Sequence, residues 1–210
     1  MVKNSKWLFV VIIGAALMFG VYDRVIKNQL FPKRFGEVET GLVFRSGQIH
    51  PNLIKSTLSK HQIVKVIDLR YWEELPEMLA EKTAIEELGI QSERFPLNGN
   101  GTGDVAHYLD AMLSLHDSRL KGEPVLVHCA AGSQRTGGVL AAYRTLVQGL
   151  PADQAVAEMV AYDWDPNKDQ VLLDYLNQHI GYIAEQLVLA GVISQVPDQL
   201  PAFINPLDQD

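Results

Sequence analysis

One stretch of this sequence gathers the residue types needed for covalent chemistry on an anion: Val127-His128-Cys129-Ala130-Ala131-Gly132-Ser133-Gln134-Arg135-Thr136-Gly137. A cysteine opens the loop and an arginine closes it, with five uncharged and mostly small residues between them. Such residues let the backbone curl tightly, and Gly132 tolerates dihedrals closed to other residues. Successive N–H groups of a curl of this kind converge on a single anion. A helix predicted over 137–147 adds the positive end of its dipole. Arg135 can hold two phosphate oxygens at once, which a lysine cannot. The same field should depress the Cys129 thiol below the ~8.5 of a free cysteine. A thiolate at the base of a phosphate-sized cradle is in line to attack phosphorus, and the cradle stabilises the charge that develops. Cys129 is the only cysteine, so an intrachain disulfide framework is excluded. A lone cysteine is commonly a small buried hydrophobe, so its neighbours must decide its role.

The surrounding elements must position that loop. Short apolar strands are predicted at 42–44, 63–69, 90–97 and 124–128. Helices are predicted at 51–59, 73–88, 105–119, 137–147, 151–161 and from about 165 to 190, with Gly89 and Gly149 as stops. Strands alternating with helices predict an α/β domain with a central, mostly parallel sheet flanked by helices. Ligands in such sheets collect beyond the carboxyl ends of the strands, where Cys129 would lie. Asn98-Gly99-Asn100-Gly101-Thr102-Gly103-Asp104 reads as a flexible glycine loop before a helix. Residues 23–40 read as a polar linker, 41–190 as the domain, and 191–210, with Pro197, Pro201 and Pro206, as an extended solvent-facing tail.

The string His-Cys, five residues, Arg-Thr-Gly resembles the signature of the cysteine-based phosphatases: protein tyrosine, dual-specificity and lipid- or inositol-phosphate-directed enzymes. Gly41 to Gln48, Val66 to Arg70 and Phe95-Pro96-Leu97 are similar to strands of bacterial dual-specificity-like members. The resemblance covers about residues 40–180 and implies their fold and two-step mechanism. Cys129 would form a phosphocysteine that water hydrolyses, while Arg135 binds phosphate throughout. Ala130, Ala131, Gly132, Ser133 and Gln134 would contribute the phosphate-binding loop. Thr136 matches a hydroxyl residue that favours departure of the thiolate, His128 one that braces the loop, and Arg45 one that braces the catalytic region. The family takes its general acid from a mobile loop after an earlier strand, which points to Asp104. A simple N-cap is the alternative role for Asp104. Asp110, Asp163 and Asp165 are weaker candidates, and Glu73 and Glu74 are assigned to the first turn of a helix. No Trp-Pro-Asp string is present.

The net charge of −7 and the lack of a basic stripe argue against nucleic acid as a partner. A local pocket for a phosphorylated protein or a small phosphorylated molecule remains compatible with it. The loop carries no lysine, which tilts toward substrates with one phosphate, although Lys168 or Arg70 could add charge from outside. Histidines 50, 61, 107, 116 and 179 lack ligand spacing, so no metal or cofactor is expected. A phosphate-binding module without turnover and a rhodanese-like sulfur transferase are the competing readings, the latter disfavoured by Arg-Thr-Gly. At the N-terminus, a short basic segment, residues 1–6 with Lys3 and Lys6, precedes an uncharged apolar run, Trp7 to Tyr22. It reads as a single-pass transmembrane anchor with the catalytic domain outside the cytoplasm, or else as a cleaved signal peptide or a hydrophobic arm.

Overall fold

The computed structural model describes residues 27–208. Five strands form one sheet: β1 (Gly36–Glu39), β2 (Val43–Ser46), β3 (Lys65–Asp68), β4 (Gln91–Arg94) and β5 (Val125–His128). Their order is β1-β2-β5-β3-β4. β2, β5, β3 and β4 run parallel, and β1 pairs antiparallel at the edge. The helices are α1 (Lys27–Leu30), α2 (Pro51–Lys60), α3 (Pro76–Leu88), α4 (Val105–Lys121), α5 (Gln134–Gln148), α6 (Ala152–Ala161) and α7 (Gln170–Leu189). A short 3-10 turn follows at Pro206–Asp208.

Strand side chains alternate between two cores, as the pleat requires. Val43, Ile67, Val125 and Val127 face the larger core built with α4 to α7. Phe44, Val66 and Leu126 face the smaller one, with Ile54 and Leu58 of α2 and Ala84 and Ile85 of α3. The outer strand β4 reads Gln-Ser-Glu-Arg and is largely exposed, a composition that blunts an unpaired sheet edge. The register aligns Ser46, His128, Asp68 and Arg94 as the last residues of four neighbouring parallel strands. The loop that opens with Cys129 starts just beyond that row.

Several expectations need correction. The linker supplies an edge strand, β1, and residues that reach the catalytic loop. α3 begins at Pro76, not at Glu73, because a residue before proline is driven out of the helical region; Leu75 sits at ψ 144. α5 begins one turn early, at Gln134, directly out of the loop. The tail is solvent-facing only in part: Phe203 is buried, and Asn177 of α7 brackets its backbone with two hydrogen bonds of 2.8 Å. The transmembrane anchor, and with it the membrane as partner and location, is also corrected. Among the described residues no helix is long and apolar enough to cross a membrane. The longest, α7, is interrupted by Asp174, Asn177, His179 and Glu185. The run 7–22 that prompted the expectation lies outside the described residues.

Candidate active site

The loop between β5 and α5 is organised by its carbonyls. Ala130 O accepts from the Gln48 N–H at 3.1 Å and from Lys33 Nζ at 3.4 Å. Ala131 O accepts from Arg34 Nη1 at 2.8 Å, and Gly132 O from Arg45 Nη2 at 2.9 Å. Three basic side chains thus draw three consecutive carbonyls outward. In a trans peptide the next N–H points the opposite way, so the N–H groups of Ala131, Gly132 and Ser133 face inward. Gly132 shows the result: its N–H lies 3.1 Å from Cys129 Sγ.

Gly132 sits at φ +82, and a Cβ there would lie 2.3 Å from Gly47 N. Only glycine fits at this left-handed, crowded position, where the loop presses against the end of β2. Arg45 secures the same contact. It is fully buried, meets Glu158 of α6 at 3.4 Å and stacks 3.7 Å above the Tyr162 ring. Ser133 caps α5 and donates its hydroxyl to Asp163 O at 2.8 Å. Gln134 turns its amide to Asp169 at 2.9 Å.

Cys129 is buried at the base of this loop. Burial pushes its thiol up, but Thr136, the Arg135 guanidinium and the N–H groups of Gly132 and Thr136 outweigh that and hold it below its ordinary value. The Thr136 hydroxyl is wholly buried and makes no well-aligned hydrogen bond among the described residues, which leaves it available to the sulfur. Arg135 and Ala130 line a cavity of about 320 Å³ together with Gln48, Arg70, Tyr71, Glu73, Leu75, Met78, Leu97 and Gly99. The walls are mainly apolar, a setting in which a few placed polar groups orient a ligand.

Behind the loop lies a buried ionic cluster. Arg70 is bidentate to Asp68, at 2.7 and 3.0 Å, and reaches Glu81 at 2.7 Å. His128 Nε2 lies 3.3 Å from Glu81 and 3.9 Å from Asp68. Burial alone would lower the His128 imidazole, but Glu81 and Asp68 raise it above its ordinary value. His128, Arg70 and Arg94 in turn hold the Asp68 carboxyl low against the opposing effect of burial. Ligand-type atoms of Asp68, Glu81 and His128 come within 4.8 Å of one another. Both carboxylates already grip Arg70, so the donor set is a closed ion-pair network and does not fit a metal.

The structure therefore gathers Cys129, Ala130 to Gln134, Arg135, Thr136, His128 and Arg45 around one loop. Asp104 stands apart. Its carboxylate caps α4, accepting from the Ala106 N–H at 2.9 Å, and it does not line the cavity. The glycine loop before it is laced rather than loose. Asn98 N–H bonds Thr102 O at 2.8 Å, Tyr175 bonds Gly103 O at 3.1 Å, and the Tyr108 hydroxyl donates to Gly101 O. Asp110 is exposed on α4, Asp163 is tied to Arg34, and Asp165 to Lys168. Of the outside cations, Arg70 is committed to Asp68 and Glu81, and Lys168 stands in solvent with Asp165. Sequence reasoning missed Lys33, Arg34, Glu81 and Glu158. No local pattern singles them out, because they meet the loop and its supports across long stretches of chain.

A profile of the tyrosine phosphatase family matches residues 31–161, more than half of the chain. The chain belongs to that family. The match includes Lys33 and Arg34, in the second half of the segment 23–40. Among known proteins, the chain is similar to the dual specificity protein phosphatase OPG106 of vaccinia virus, 41% identical over 66 residues, or 30% of this chain and 37% of that protein. It is also similar to the dual specificity protein phosphatase Mpk3 of Drosophila melanogaster, 30% identical over 122 residues, or 58% of this chain and 28% of that one. The matched region thus spans about a third of those relatives' length. In fold it resembles P. aeruginosa TpbA, with a TM-score of 0.61 at 19% identity, covering 74% of this chain and 91% of that one. The catalytic core of the S. cerevisiae PP-IP phosphatase SIW14 gives a TM-score of 0.60 at 17% identity, covering 78% and 96%.

Proposed function

We propose that this protein hydrolyses phosphate monoesters through a phosphocysteine intermediate, with phosphorylated proteins as its substrates. The observation that carries the reading is the outward set of carbonyls from Ala130 to Gly132, which leaves inward N–H groups around the buried Cys129 sulfur. Cys129 attacks phosphorus as the ester oxygen departs. Arg135 and the N–H groups hold the three equatorial oxygens, a charge distribution they meet better in the transition state than in the substrate. Water then attacks the phosphocysteine, and Thr136 favours the sulfur's departure as thiolate.

One phosphate fits the main cavity, because Arg135 is its only cation not committed to buried carboxylates. Tyr71 on the rim and Leu75, Met78 and Leu97 in the wall suit a phosphotyrosine ring. A variant of the similarly folded TpbA is known in complex with pTyr.

A second reading has its own support. A smaller cavity of about 200 Å³ adjoins the first, shares Gln48 and Ala130 with it, and is lined by Lys33 and His50. A second phosphate would find a cation there, as an inositol phosphate requires, and SIW14 is a PP-IP phosphatase. The full-length chain and Cys129→Ser should be assayed on phosphotyrosine and phosphoserine peptides and on inositol polyphosphates. Turnover of peptides that vanishes in Cys129→Ser supports the first reading. Turnover confined to inositol polyphosphates selects the second. Activity that survives Cys129→Ser refutes both.

A further inference from the structure

We propose that Glu73 is the general acid that protonates the leaving oxygen; this rests on the phosphatase reading above. Departure of an alkoxide or phenoxide calls for a proton donor within hydrogen-bond reach of the ester oxygen. That oxygen points away from Cys129, toward the mouth of the cavity, because attack is in line. Among the residues lining the cavity, Glu73 is the only carboxylic acid. It sits in the irregular stretch between Arg70 and Pro76 and shares the cavity lining with Ala130 and Arg135 of the catalytic loop.

Two features make this residue free to act. Glu73 has no ion pair and no hydrogen bond among the described residues. Its stretch is also held at both ends, by Arg70 locked to Asp68 and Glu81 and by the start of α3 at Pro76. Trp72 is pinned under the Arg94 guanidinium, 4.8 Å from ring centroid to Cζ. Glu73 therefore lines the cavity from a short strap with anchored ends. Asp104, the competing acid, spends its carboxylate on the α4 N-terminus, behind a loop fixed by Tyr108 and Tyr175.

The step balances. As the Sγ–P bond forms and the P–O ester bond breaks, the Glu73 carboxyl gives its proton to the departing oxygen. The products are the free alcohol, phosphocysteine and the Glu73 carboxylate. In the second step the carboxylate takes a proton from the attacking water. The Sγ–P bond then breaks to release inorganic phosphate and the Cys129 thiolate, and Glu73 is an acid again.

The test compares leaving groups in the full-length chain. p-Nitrophenolate departs without help, whereas phenolate and the alkoxide of serine need a proton. Glu73→Gln should lower kcat/KM, which reports phosphocysteine formation alone, by about 100-fold or more on phenyl phosphate, with far less loss of kcat/KM on p-nitrophenyl phosphate. Asp104→Asn should keep the wild-type dependence on leaving group, whatever it does to thermal stability. Unchanged kcat/KM on phenyl phosphate in Glu73→Gln, equal losses of kcat/KM on both esters, or a leaving-group-dependent loss in Asp104→Asn instead would each overturn the assignment. Failure of the phosphatase reading is a separate result: hydrolysis of p-nitrophenyl phosphate that persists in Cys129→Ser.

Discussion

Replacing Arg45 by methionine tests whether the catalytic loop is held open from behind. Arg45 is fully buried, with 1% of its surface exposed. It donates to the Gly132 carbonyl at 2.9 Å and stacks on Tyr162 at 3.7 Å. Methionine fills similar space without charge or donors. A charge-assisted hydrogen bond to a buried carbonyl contributes about 1.5–3 kcal/mol, and a desolvated cation–π contact about 1–2. Relief from burying the guanidinium offsets part of that, since burial already lowers the Arg45 pKa below its ordinary value despite Glu158 and Tyr162. Glu158 keeps Arg144 as a partner. A net loss of about 2–4 kcal/mol follows, and at ~2–4 °C per kcal/mol for a domain of this size Tm should fall by about 4–16 °C. The second readout is chemical. Because Cys129 is the only cysteine, iodoacetamide reports on it alone. Once the Gly132 carbonyl is released, the Ser133 N–H of the same peptide is no longer held facing inward, the cradle around the sulfur loosens, and the alkylation profile should move to higher pH. An unchanged Tm together with an unchanged profile would refute the reasoning.

Four further outcomes are expected. Thr136→Val should move the Cys129 alkylation profile to higher pH and make phosphocysteine accumulate, seen as a burst followed by slow turnover; a profile at the wild-type position would remove Thr136 from the mechanism. Gly132→Ala should abolish turnover, because its Cβ would meet Gly47 N at 2.3 Å, and steady-state kinetics on a folded variant checks it. His128 is raised by Glu81 and Asp68, so its contribution to stability is complete below the unfolded value of ~6.5 and is lost as pH climbs through the folded one. In a Cys129→Ser background, which removes the opposing thiol titration, Tm should decline above pH ~6.5, and Glu81→Gln should flatten that decline. Phe203→Ala should cost about 3–5 kcal/mol by denaturant melting, whereas a solvent-facing tail would register nothing.

The chemistry of this protein was legible in local sequence. Cys129, Gly132, Arg135 and Thr136 lie within eight residues, and a curl followed by a helix places them together without distant contacts. The alternation of strand and helix was equally plain, because the apolar period is a local property. What no local pattern contained was the set of groups that reach the loop from far along the chain. Lys33, Arg34 and Arg45 hold its carbonyls across 87 to 97 positions, and Glu81 meets His128 only because α3 packs under β5. Asp104 and Glu73 show the difference most clearly. Order along the chain favoured the aspartate, but its own helix satisfies that carboxylate within two residues. The proline that ends the strap at Pro76 keeps Glu73 out of the helix and on the cavity wall. Residue type and spacing determined which atoms could react; which acid faces them depended on how the sheet, the strap and the helices fold over one another.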